Sequence, residues 1–404
     1  MRILFVAFSE SIHTARWISQ VADQGWDLHL FPSIDHGLVH PELRSVTVHH
    51  SLYGQPGRHA KAVRAKGVYL GSSRVALLVR MKLERSWPGY RTWQLVRLIR
   101  RLKPDVVHSM EFQHAGYLTL EAKRHLPGHF PTWVATNWGS DIYLFGRLDS
   151  HRQRIRQILA QCDFYSCECN RDVSLARELG LRGQVLPVLP NTGGFDLDAV
   201  RALRAPGPTS QRRVIMLKGY QHWAGRALVG LRALERCSEL LSQYTIVIHS
   251  PATDVALAAE LFSARTGVCT LALPMETAHH EILFYHGKAR VSIGLSISDA
   301  ISTSFLEALV MGSFPIQSNT SCANEWVEDG RTALLVPPED PEIVEGAIRR
   351  ALTDDGLVDQ AAQLNWEVAR QRLDSRSIQT RVVEMYRGIL DGGLRAGEAR
   401  PHGT

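Results

Sequence analysis

The 404-residue sequence has no apolar run near the roughly 18 residues of a membrane span, which excludes an integral helical membrane protein. Its six cysteines, Cys162, Cys167, Cys169, Cys237, Cys269 and Cys322, are too scattered for a disulfide framework. They are expected as reduced, buried thiols. Cys167 and Cys169 share one strand face, but a zinc site needs more ligands than they offer. Lysine is scarce, with thirty-nine arginines to seven lysines, a bias without a functional reading of its own. No recognised nucleic-acid motif and no aromatic stacking series occur, which sets nucleic acid aside. The opening Met1 to Phe8 is too short for a signal peptide and meets Ser9-Glu10 without a small-residue cleavage pattern. It reads as a first parallel strand, and a cytoplasmic location is expected.

The length suits two α/β domains, and 45% hydrophobic with 21% charged residues is ordinary for a globular chain. Strand-like runs at 2–7, 27–31, 105–109, 132–136, 164–167 and 184–189 alternate with helical patterns, which argues for a parallel sheet with helices on both faces. Between Pro190 and Arg213 the composition turns rich in Pro, Gly and Ser, the best linker candidate. A second series follows at 214–217, 244–249, 269–273, 290–295, 314–317 and 333–336, and beyond Pro341 the pattern is helical to about Leu390.

The densest chemistry lies between Ala289 and Val336. A buried strand ends near Leu295, and Ser298-Asp299-Ala300-Ile301-Ser302-Thr303-Ser304-Phe305-Leu306-Glu307 opens a helix. That helix start aims unpaired N–H groups and a positive dipole end beyond the strand, where phosphate is the usual occupant. Asp299 is placed to accept from sugar hydroxyls, and Glu307 is far enough into the helix to reach a ribose. Ser304-x-x-Glu307 is equally a capping box, in which Glu307 only satisfies the helix start. Upstream, Lys218-Gly219 to Gly225-Arg226 follows the first strand of the second half, and two cations there are placed to hold a diphosphate. A surface loop with incidental charges is the plain alternative, and Gly219 allows close backbone approach.

The segment resembles the donor-binding region of glycosyltransferase family 4, whose pattern is Glu-x7-Glu, an alanine, a small-residue turn, a proline strand and an acidic-Gly turn. This sequence supplies Glu307-Ala308, Gly312, Phe314-Pro315-Ile316, Glu325, Glu328-Asp329-Gly330 and Ala333 to Pro338. Asp299 stands where the family has its first Glu, keeping the charge but losing a methylene of reach. The family's Arg and Lys appear as Lys218 and Arg226, reversed in type and more widely spaced. The resemblance implies an α/β GT-B fold, two doubly wound Rossmann-like domains facing each other across a cleft. Residues 1–195 would hold the acceptor, 196–212 link, and 213–370 bind the nucleotide sugar; a helix near 371–390 would return to the first domain, and 391–404 form a flexible tail.

Further motifs bear on the acceptor side. Trp138-Gly139-Ser140-Asp141 sits where relatives carry His-Gly-Ser-Asp, so Ser140 and Asp141 are acceptor candidates, although a helix N-cap explains them as well. His13 lies in the first loop, where it would touch the acceptor or the donor phosphate. His108, Glu111 and His114 lie at and beyond the strand after Pro104, where relatives place a catalytic His; Met110 takes one usual position, and a lone His is more often structural.

Charge concentrates in one place. Arg58 to Lys103 carries thirteen Lys or Arg against one acid, Glu84, interleaved with Leu77, Leu78, Val79, Met81, Leu83, Trp87, Trp93, Leu95 and Ile99. This mixture lets a helix lie on an anionic lipid surface. Alternatively the apolar residues pack onto the sheet and the arginines are solvated.

The sequence therefore reads as a retaining glycosyltransferase, with retention implied by resemblance. Asp299, Glu307, His114 and His108 are the catalytic candidates. Lys218, Gly219, Arg226, Ser302, Thr303 and Ser304 join Glu307 at the donor, and His13, Glu111, Ser140 and Asp141 form the acceptor side. No cofactor or metal is expected. Expected partners are a nucleotide sugar, a glycan or polyprenyl- or lipid-linked acceptor from cell-surface polysaccharide or glycolipid assembly, and the inner face of an anionic membrane. A nucleotide-sugar epimerase of the same fold, or a catalytically weakened sugar-binding scaffold, remain the alternatives.

Overall fold

A computed structural model describes residues 1–54, 63–128 and 130–391. The chain divides into two units, Met1–Gly193 with Ser377 onward, and Gly194–Arg376. Each is an open parallel sheet covered by helices.

The first unit runs β1 (Arg2–Ala7), α1 (Ile12–Ser19), β2 (Asp27–Pro32), β3 (Val46–Tyr53), β4 (Val63–Tyr69), α2 (Ser73–Ser86), α3 (Tyr90–Leu102), β5 (Val106–Met110), α4 (Tyr117–Arg124), β6 (Thr132–Thr136), α5 (Ser140–Tyr143), α6 (Asp149–Gln161), β7 (Phe164–Ser166), α7 (Asn170–Glu178) and β8 (Gln184–Val185). The sheet order is β4-β3-β2-β1-β5-β6-β7-β8, parallel throughout. The chain builds outward from β1 to β4, then returns to lay β5 beside β1. Strands buried on both faces need continuous apolar runs, and Ile3 to Ala7 and Val106 to Val107 supply them at the centre.

The second unit runs α8 (Leu197–Ala202), β9 (Val214–Lys218), α9 (Ala227–Arg236), β10 (Thr245–His249), α10 (Thr253–Thr266), β11 (Cys269–Ala272), α11 (His279–Lys288), β12 (Ala289–Gly294), α12 (Thr303–Met311), β13 (Phe314–Ser318), β14 (Leu334–Val336), α13 (Pro341–Thr353) and α14 (Asp355–Arg372). Its order, β11-β10-β9-β12-β13-β14, repeats the same outward-and-return path. One core of Ile215, Leu217, Leu231, Ile246, Ile293 and Ile316 unites its layers. The expected fold class holds: the chain is α/β with two Rossmann-like halves.

Several local expectations fail. Strands β3 and β4 were not legible, because His49, His50 and Ser51 interrupt one apolar run and β4 is an exposed edge carrying Arg64 and Lys66. Residues 196–212 are no free linker. They form α8 and then pack on the end of α12, where Arg204 donates to the Val310 carbonyl at 2.8 Å through Nε and Thr209 Oγ1 donates to the Gly312 carbonyl at 2.8 Å. Pro and Gly there shape a folded crossing, with side chains satisfying the carbonyls that end α12. The tail expected beyond 391 lies outside the described residues, as do Arg58 and Lys61 of the basic segment.

That basic segment divides. Leu95 and Ile99 of α3 enter the core, as packing requires. In α2 only Ala76 and Arg80 are buried, while Leu78 is 66% and Met81 58% exposed. Trp87 and Trp93 are exposed beside them, with ring centroids 5.5 Å apart. All six cysteines are free, Cys269 exposed and the other five buried.

The last helix, α15 (Ser375–Leu390), joins the first unit's core through Ile378, Val382, Val383, Tyr386 and Ile389 on one stripe. Trp17 Nε1 donates to Tyr386 Oη at 2.9 Å, and the same hydroxyl meets His108 Nδ1 at 2.6 Å. Replacing Tyr386 with Phe leaves two buried ring nitrogens without that partner. Tyr386→Phe should therefore cost about 1–3 kcal/mol, read as a lower urea midpoint in tryptophan fluorescence; an unchanged midpoint would refute this account.

Candidate active site

In the second unit the path reverses between β9 and β12, and a crevice opens at their carboxyl ends. Lys218 is the last residue of β9, and Asp299 and Ser302 lie in the loop after β12. The Lys218 ammonium donates to Ser302 Oγ at 3.0 Å and lies 3.8 Å from Asp299 Oδ2. Ser302 is the N-cap of α12 but makes no side-chain cap bond. The first turn of α12 thus keeps its N–H groups and positive dipole end directed at this corner.

Glu307 lies one turn further in and is buried. It does not close a capping box. His279 Nε2 meets its Oε1 at 2.7 Å, and His286 Nε2 lies 3.6 Å from its Oε2. His249, at the end of β10, contacts Ser304 Oγ through Nε2 at 3.0 Å. Burial pushes the Glu307 carboxyl up, but the hydrogen bond and charge of His279, then His286 and His249, outweigh it and hold the group at about 2. Burial brings His286 down to about 4 and His249 to about 3, so both are neutral near pH 7.

Two donor candidates are engaged differently from expectation. Arg226 sends Nε to Glu339 Oε1 at 2.9 Å and Nη1 to the carbonyls of His222, Ala224 and Gly225. It staples its own loop. Gly219 is required by packing, since a Cβ there would fall 2.5 Å from Pro251 Cα. Thr303 begins α12 and Ser304 carries the His249 contact.

In the first unit the path reverses between β1 and β5, and the loops beyond them carry the other candidates. His108 is not among them. It is fully enclosed, with Nδ1 on Tyr386 Oη and Nε2 on Thr136 Oγ1, each at 2.6 Å, and burial lowers it to about 3. A strand position just before the carboxyl end looks equivalent in sequence, yet its side chain faces the core. His114, beyond the strand, is half-exposed, with Nδ1 3.5 Å from Glu111 Oε2. Its ring centroid lies 5.1 Å from Phe8, which neighbours Trp138 at 6.1 Å, and Trp138 neighbours His13 at 5.5 Å.

Glu111 and Asp141 are buried acids that cap backbone. Glu111 accepts the N–H groups of His114 and Ala115 and holds a positive φ of 75°, a strained conformation for this residue. Asp141 Oδ2 accepts from Trp138 N at 2.8 Å and Phe112 N at 3.1 Å. Burial, then the Glu111 charge, pushes the Asp141 carboxyl up. Ser140 starts α5 after Gly139, whose φ of 82° suits glycine.

Comparison with protein families aligns residues 2–165 with "Glycosyl transferase 4-like" and residues 272–366 with "Glycosyl transferases group 1". The chain belongs to the GT4-like glycosyltransferases. A sequence comparison with curated proteins finds no match. Solved structures share the GT-B fold at low identity. Sucrose-phosphate synthase from Thermosynechococcus elongatus superposes with a TM-score of 0.70 at 15% identity, over 97% of this chain and 100% of that one. HepE from Anabaena, solved with UDP-glucose, gives 0.66 at 15% over 96% and 100%. The UDP-forming trehalose-phosphate synthase from Burkholderia xenovorans, with glucose-6-phosphate, gives 0.66 at 14% over 96% and 100%.

This GT4-like glycosyltransferase thus carries Asp299 in its short form beside Lys218, and its Glu307 is surrounded by histidines that sequence reasoning missed. No spacing rule links His249, His279 and His286 to Glu307; only the topology that sets β10, α11 and α12 side by side does so. The Glu111 hydrogen bond, opposed by burial and aided by the Glu111 charge, raises the His114 pKa. Imidazole NMR should place that titration above the ordinary histidine value, and Glu111→Gln should bring it down. A His114 titration indifferent to Glu111→Gln would disprove the pairing.

Proposed function

We propose that the second unit binds a nucleoside-diphosphate sugar and that the enzyme transfers the sugar, with retention of anomeric configuration, to an acceptor recognised by the first unit. The observation that carries this reading is the corner formed by Lys218, Asp299 and the uncapped start of α12 at the β9/β12 reversal. As the glycosidic bond breaks, the leaving diphosphate gains negative charge. Lys218 and the first-turn N–H groups meet that charge already in place, which lowers the barrier without reorganisation. This assigns the charge to the protein's own groups and not to a metal ion. Asp299 addresses the donor sugar, and Glu307 the ribose. The Anabaena relative solved with UDP-glucose supports a nucleotide-sugar donor.

Incubation with a panel of nucleotide sugars, with and without lipid-linked acceptors, tests the reading. Acceptor-dependent nucleotide release, insensitive to EDTA, is expected. Interconversion of sugars without release would instead indicate an epimerase, and binding alone a scaffold. Lys218→Ala should lower kcat by about a hundredfold or more, and Asp299→Asn should impair transfer. Transfer unaffected by Lys218→Ala, Asp299→Asn and Glu307→Gln together would place the donor elsewhere.

The acceptor reading draws on α2. Its exposed Val75, Leu78 and Met81, with Trp87 and Trp93 alongside and Arg74, Lys82 and Arg85 interspersed, form a surface suited to an anionic bilayer. An acceptor carried by a lipid at the inner membrane face, in cell-surface polysaccharide or glycolipid assembly, fits that surface. In vesicle flotation at low salt the protein should rise with phosphatidylglycerol vesicles but not with neutral ones. The double change Leu78→Glu and Met81→Glu should abolish flotation, and a protein that stays at the bottom with anionic vesicles would end the membrane reading.

A further inference from the structure

Two histidines of α11, His279 and His286, converge on Glu307. An ionised carboxylate offers about four lone-pair directions. His279 Nε2 occupies one on Oε1 at 2.7 Å. His286 Nε2, buried and without a hydrogen-bond partner, faces Oε2 at 3.6 Å, while His286 Nδ1 is held by Ser292 Oγ at 2.9 Å. The carboxylate is thus approached on both oxygens by groups anchored on one helix, with a direction left on each. Two acceptor positions on a fixed plane match two hydroxyl donors on adjacent carbons. The side chain of His279 is 31% exposed, against 6% for Glu307 and 0% for His286. His279 therefore stands on the solvent side of the carboxylate, where a nucleotide must enter.

We infer that His279 is a positioning residue for donor recognition: it locks Glu307 so that the site takes nucleotides with a vicinal ribose diol and rejects 2′-deoxy forms. The inference rests on the reading that the second unit holds the donor nucleotide. With the carboxylate locked, a ribose finds both acceptors in place and no side-chain freedom remains to be lost on binding. A 2′-deoxyribose leaves one buried acceptor unmet, and such a loss discriminates strongly. Without His279 the carboxylate turns, and the two kinds of sugar become harder to tell apart. Nothing in the local sequence Ala278-His279-His280 announces this role.

Calorimetric titration of the full chain with UDP, ADP and GDP and their 2′-deoxy counterparts tests it. The wild type should prefer the ribo form of the nucleotide it binds. His279→Ala and His279→Asn, which cannot reach Glu307, should each weaken ribonucleotide binding by about tenfold and bring the ribo-to-deoxy ratio towards one. His279→Gln, whose amide donates at similar reach, should recover much of the ratio. A residue with only a packing role would lower thermal stability in all three variants and leave the ratio unchanged, and that result overturns the inference. Discrimination lost in Glu307→Gln but kept in every His279 variant overturns it too, while the donor reading stands. If none of the nucleotides binds the wild type, or Glu307→Gln binds both forms like wild type, the donor reading itself fails.

Discussion

Parallel strand pairing decides where chemistry can take place in each unit. Neighbouring parallel strands cannot be joined by a tight turn, so every connection crosses a face of the sheet, usually as a helix, and with one hand. Having built outward through β4 or β11, the chain must come back to the centre to lay down β5 or β12. The connections on the two sides of that return leave in opposite directions, and the carboxyl ends of the central pair open into a crevice. Lys218 leaves β9 there, and Asp299 and Ser302 leave β12. In the first unit Phe8 and His13 leave β1, and Glu111 and His114 leave β5, by the same rule. Even the C-terminal helix serves this centre, since Tyr386 meets His108 and Trp17 beneath β1 and β5.

Within these crevices, two buried acids end in opposite states, according to what surrounds them. Glu307 and Asp141 are both buried, and desolvation pushes both carboxyls up. At Glu307 a partly exposed histidine on Oε1 and two buried ones nearby overcome that push, so the group stays ionised over the working pH range. At Asp141 the neighbour is another acid, Glu111, and the accepted N–H bonds of Trp138 and Phe112 do not offset it. One environment keeps a carboxylate ionised, and so an acceptor only. The other favours a protonated carboxyl that shapes a loop. Of two acids that look alike in sequence, the first fits ligand recognition and the second fits architecture, a division that only their neighbours explain.

What was legible in the sequence follows from the range of the forces involved. The central strands were readable because two-sided burial demands unbroken apolar runs, as in Ile3 to Ala7 or Val291 to Ile293, and such runs are local. Helix α12 and its serine-rich start were readable for the same reason, as was the place of Lys218 at a strand end. Edge strand β4 was not, because an exposed strand needs no apolar pattern. Residues 196–212 misled because Pro and Gly mark a change of direction but not whether the crossing is packed; the bonds of Arg204 and Thr209 to α12 come from residues a hundred positions away. His108 and His114 were indistinguishable as letters. A shift from the middle of a strand to the loop beyond it moves a side chain from the core to the crevice, and only packing reveals which has happened.

Helix α2 raises a different physical question, since it is folded with little to fold against. It buries Ala76 and Arg80, the latter reaching the Leu52 carbonyl of β3 at 3.2 Å through Nη1, and most of its apolar side chains face outward. A helix of this length draws little stability from propensity alone, and tertiary burial of an apolar stripe normally supplies the rest. Here the stripe that would do so is absent on the inner side and present on the outer one. That outer face is apolar and laced with Arg and Lys, and Trp87 and Trp93 lie exposed just beyond it. Intrinsic packing thus accounts for where α2 is tethered. It does not account for the composition of the outer face, which packing inside the first unit leaves without a role.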